Sequence, residues 1–132
     1  MATTKYKADA VDDYFYRPAA AAPHRPTSVK IALLTAITSA WLGTVTEAAY
    51  TGYAAQDAAF GTESTVGGNT EQVASSAETY AAVAGGAITI VGYGLKDDLG
   101  NWLDITTLGA SVTFQNGDIP IVASGAVTHA EG

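Results

Sequence analysis

The sequence predicts a mainly β fold, a small antiparallel β-sandwich or barrel, preceded by an extended N-terminal arm. Three observations carry this reading. From residue 28 onward, large apolar residues fall into short alternating runs separated by Gly-, Asn- and Asp-rich connections. The two strongest runs, residues 87–95 (AITIVGYGL) and 102–108 (WLDITTL), flank a Lys-Asp-Asp-Leu-Gly-Asn connection of hairpin type. The first 27 residues show no sustained period and hold three of the four prolines.

The arm spans residues 1–27 and the β-rich domain residues 28–132. Pro18, Pro23 and Pro26 remove backbone donors and disfavour helix in the residues before them. Residues 19–22, all Ala, have room for one helical turn and no more. The arm is basic: five of the six Lys and Arg residues lie in the first thirty positions against three carboxylates, about +2. The remaining 102 residues carry one Lys and ten carboxylates, about −9. Tyr6, Tyr14, Phe15, Tyr16, Arg17 and Arg25 are the candidate partner-binding residues, because aromatics and Arg dominate binding hot spots. The competing reading folds these aromatics back onto the chain's own core.

In the body, residues 28–35 (SVKIALLT) place Val29, Ile31 and Leu33 on one strand face. Residues 50–60 are a weaker run, with Tyr50 and Tyr53 supplying bulk, and residues 61–69 read as a loop. Residues 70–77 fit either a strand or an Ala-rich helical turn. In the run 87–95, Thr89, Val91, Tyr93 and Leu95 share one face; Ile88, Ile90, Gly92 and Gly94 share the other. Alternate glycines leave a smooth strip that another backbone or ring can approach, so these four residues are the candidate oligomer interface. Residues 111–114 and 119–122 around Asn116-Gly117 predict a second hairpin, with Pro120 at an edge or a strand start, and residues 125–130 a short final strand.

Composition narrows function. A length of 132 residues is one domain's worth. Only 14% of residues are charged, against a usual ~25%, which suits a protein that buries much of itself against neighbours. A net charge of −7 argues against nucleic-acid binding by the body. There is no Cys, hence no disulfide or thiolate chemistry. The early apolar run 31–37 is too short to span a bilayer and too late for a secretory leader, so no membrane role is expected. His24 and His129 are far apart in sequence and form no triad or ligand pattern; Gly92-Tyr93-Gly94 is too short for a nucleotide fingerprint. Asp97, Asp98 and Asp104 flank one turn without calcium-loop spacing. No catalytic residue, metal or cofactor is expected.

Several segments resemble a family of small β-rich structural proteins of tailed phages, head-decoration or tail-fibre-like. They are VKIALLT (29–35), GTVTE (43–47), YTGYA (50–54), Asn69-Thr70, ITIVGYGLKDDLGNWL (88–103) and FQNGDIPIVASGAVT (114–128). The resemblance covers most of residues 29–130 and leaves the arm outside. It implies a β-module without catalytic residues at a repeated position on a virion. The leading expectation is a capsid decoration (cement) protein on the capsid surface, assembled in the host cytoplasm. Its arm would grip the major capsid protein, and its body would self-associate as a homotrimer. The alternative is a tail fibre or baseplate module involved in host attachment. A small glycan hydrolase is disfavoured for want of a catalytic constellation.

Overall fold

The computed structural model describes residues 2–17, 24–60, 64–66, 69–73, 77–123 and 128–131. The expected one-turn helix at 19–22 lies outside the described residues. The expectation of a mainly β, antiparallel architecture holds. The elements are β1 (Ala2–Thr3), α1 (Lys5–Tyr16), β2 (Val29–Ser39), β3 (Thr44–Glu47), β4 (Gln56–Asp57), β5 (Ser64–Val66), β6 (Asn69–Val73), β7 (Glu78–Thr79), β8 (Ile88–Asp97), β9 (Trp102–Phe114), β10 (Ile121–Val122) and β11 (Thr128–Glu131).

The main sheet runs β1-β9-β8-β2-β3, with β4 also pairing β2, and every pairing is antiparallel. Two small sheets, β10-β7 and β11-β6-β5, complete the described structure. Of the expected final strand, residues 128–130 lie in β11 and 125–127 fall outside the described residues; of the segment 70–77, residues 70–73 take strand over helix and 74–76 fall outside the described residues.

The centre of β2 is buried on both faces, as its continuous apolar run IALL (31–34) dictates. Ile31 and Leu33 join Leu95, Ile90, Tyr80 and Val122 in the core. The outer edge of β2 is paired by β4 at residues 30–31 and by β3 from residue 34. In the gap between them two tyrosines take over from a strand. The Leu33 amide donates to the Tyr53 hydroxyl at 3.1 Å, and the Tyr80 hydroxyl donates to the Ile31 carbonyl at 2.8 Å. Burial pushes both phenols well above their ordinary range, which keeps them neutral and suited to this work. Tyr53 hands the network on to Glu47, whose other oxygen takes Lys96 at 2.6 Å.

On the opposite face the glycine strip is covered. A Cβ on Gly94 would sit 2.5 Å from the Trp102 ring, and one on Gly92 would sit 2.2 Å from the Thr106 carbonyl oxygen and 2.8 Å from Ile37. Register shifts between Leu34 and Ala36 and between Ile37 and Ser39 bend the end of β2. The β2–β3 tip thereby folds over the sheet: Gly43 packs on Trp102, and the Trp41 carbonyl accepts from the Lys5 amide.

The β8–β9 hairpin forms as its composition predicts. Asp97 is buried and closes the turn, Oδ1 accepting from the amides of Leu99 (2.9 Å) and Asn101 (2.8 Å). The second expected hairpin does not form. Asn116-Gly117 makes a turn, but β10 pairs with β7 instead of residues 111–114. Pro120 has no amide to offer, and its carbonyl and that of Asp118 accept from Tyr80 and Val83. The long-range partner wins over the local one.

Candidate functional site

The site begins at Thr4, which is buried and caps α1. Its hydroxyl donates to the carbonyls of Trp102 and Leu103 and accepts from the Lys7 amide. The sequence reading expects no helix here, because it extends the influence of the prolines over the whole stretch. They all lie at or after residue 18, leaving 5–16 free to coil. Lys5–Asp9 and Asp13–Arg17 then form ion pairs at helical spacing. Arg17, the residue before Pro18, leaves the helix at φ −129°.

Two side chains of the first turn tie the helix to β8 and β9. Lys7 reaches Asp104 at 3.2 Å, and the Tyr6 hydroxyl donates to Asp97 at 3.5 Å. No residue of α1 is buried. Lys5, Asp9, Asp12, Asp13 and Arg17 share the polar side. The other side, with Tyr6, Ala10, Val11, Tyr14 and Phe15, looks onto a groove of about 470 Å³. Its far lip is His24, Arg25 and Pro26, and its lining is mostly carbon.

That lip is pinned to the β8–β9 turn. Asp98 accepts from Thr27 at 2.8 Å and pairs with His24 at 2.7 Å; the bond to His24, then that to Thr27, draws its carboxyl down to about 2. His24, Asp97 and Asp98 lie close enough to offer a cation one ligand atom each. All four carboxylate oxygens are already engaged, those of Asp97 by Leu99, Asn101 and Tyr6. The cluster's chemistry is to hold the groove's two walls in register. Asp104, grouped with them in sequence, pairs with Lys7 instead.

Tyr14 (67% exposed), Phe15 (68%) and Tyr16 (80%) stand in solvent, with Tyr14 and Phe15 edge to face at 4.9 Å. They do not fold back onto the core. Arg25 sits on the groove lip and Arg17 at the helix end. The strip proposed for oligomer contact lies inward within one chain: Ile90, Gly92 and Gly94 are buried and Ile88 is half-buried against the core. Sequence reasoning missed the groove, and with it the exposed Trp41, Leu42 and Leu99 on the two turns beside α1. Trp41-Leu42 next to Gly43 was the available signal, two large apolar residues at a turn.

The described structure is a β-sheet body with a helix packed at one end, an open, mostly apolar groove beside that helix and exposed aromatics on it, an arrangement without a catalytic constellation among the described residues. A family model described as Podophage GP4 fiber I protein gp80 matches residues 2–130, and the chain belongs to that family. It is a structural protein of a bacteriophage virion. The match begins at residue 2, so the N-terminal stretch, placed outside the family pattern by sequence reading, belongs to it. Comparison with curated proteins gives no match.

Proposed function

We propose that the chain is a fibre component of a tailed-phage particle and that the α1 end is its protein-contact surface. The family match over nearly the whole chain carries this reading, because the family is described as a fibre protein. It favours the fibre alternative over capsid cement. The geometry supports the same view: exposed aromatics, Arg25 and an open apolar groove gather at one end, where hot-spot residue types belong. The N-terminal element, α1 included, then joins the body to a protein of the particle. The test is the copy number of this chain per purified particle, measured by quantitative mass spectrometry against the most abundant virion protein. A ratio of a few per cent is expected for a fibre. A ratio near one to one would restore the cement reading, with the major capsid protein as partner.

A further inference from the structure

We propose that the groove beneath α1 receives residues 118–121 of a second copy, so that chains join head to tail. The inference rests on the reading of the α1 end as the protein-contact surface, and it names the occupant.

The exposed large apolar side chains fall into two groups. One surrounds the groove. The other, Ile119 (55% exposed) and Ile121 (61%) with Val112, lies where β9 ends. These are opposite ends of the β8–β9 hairpin, about 30 Å apart at ~3.3 Å per residue along β8. Residues 118–121 have the form of an insert. Pro120 and Val122 point inward while Ile119 and Ile121 point out, giving a two-residue apolar ridge on an extended backbone stiffened by proline. Among the described residues, β10 has a strand neighbour on one side only.

Charge selects a copy of this chain as the occupant. Five of the six Lys and Arg residues are ion-paired internally: Lys5, Lys7, Arg17, Lys30 and Lys96. Among the described residues Arg25 alone has no such pair, although the chain carries 13 carboxylates, and it stands on the groove lip. The ridge opens with the exposed Asp118, and Glu78 lies opposite Val122 on β7. Copies with a net charge of −7 repel one another in general. The contact that places Asp118 beside Arg25 and the two isoleucines in the groove brings opposite charges and apolar surfaces together. Because the two surfaces differ, the contact is heterologous: a joined pair keeps one free groove and one free ridge for further copies, and a closed ring or a linear row results.

The test uses two variants of the full chain, Ala10→Trp to fill the groove and Ile121→Lys to spoil the ridge. Phe15→Glu serves as a second groove variant at a solvent-exposed position. Circular dichroism and melting temperature establish that each is folded, and native mass spectrometry reads the assembly state. The wild-type chain is expected to form species larger than a monomer and each variant alone to be monomeric. A one-to-one mixture of groove and ridge variants is expected to form dimers and stop there, since one intact groove then meets one intact ridge. A monomeric wild type, single variants that assemble normally, or a mixture that stays monomeric would each overturn the proposal. Absence of the chain from purified particles would instead overturn the fibre reading and leave this result standing.

Discussion

Gly92 and Gly94 show how single residues set the packing of the sheet. A methyl group on Gly92 would lie 2.2 Å from a backbone carbonyl that cannot retreat without breaking the β8–β9 ladder. Gly92→Ala is therefore expected to destabilise by about 3 kcal/mol, the upper end for overpacking. Gly109, with nothing within 4 Å of such a methyl, is the control, and Gly109→Ala is expected to leave the melting temperature almost unchanged. Equal effects at the two positions would contradict the close approach. Asp98 offers a second check. Its carboxyl is held down at about 2 by His24 and then Thr27, below the ~3.9 of an unfolded Asp. The ionised form is the one the fold favours, so the contribution of these bonds is complete above about pH 4 and is lost as pH falls through about 2. Side-chain carboxyl NMR should give a midpoint near 2; a midpoint near 3.9 would mean that the groove lip is not pinned.

At the scale of elements, legibility followed the range of the interactions. The β8–β9 hairpin was readable because its alternation and its Asp97 turn are local. Val29, Ile31 and Leu33 were readable for the same reason, and all three meet the core. The Asn116-Gly117 turn misled because a local hairpin signal lost to β7, more than thirty residues earlier in the chain. The bends of β2 that carry Trp41 over the sheet leave no mark in its alternation. Helix α1 was hidden by the prolines that follow it; Tyr14, Phe15 and Tyr16, which the sequence offers as candidate binding residues, lie on this helix and are exposed. Replacing these three by Ala should shift stability by no more than about 0.5 kcal/mol per site, because none packs in the core and Ala favours helix. Attachment to protein partners should weaken by tenfold or more, since hot-spot aromatics are worth about 2 kcal/mol or more each. Loss of melting temperature with unchanged attachment would return these residues to a folding role.

For the whole molecule, apolar surface is concentrated at two ends of an acidic β-body, with the larger share around α1. The charge split was visible in sequence as a basic opening and an acidic remainder. In the folded chain most of those basic residues are spent on internal pairs, so the opening presents less a positive arm than an apolar face, with Arg25 the one Lys or Arg outside an ion pair among the described residues. The central claim, that this end meets protein in the assembled particle, is tested most directly by hydroxyl-radical footprinting of intact particles against the isolated chain at low concentration. Tyr14, Phe15 and Trp41, all exposed in the single chain, are expected to be protected in the particle. Equal labelling of these three residues in both samples would contradict the account.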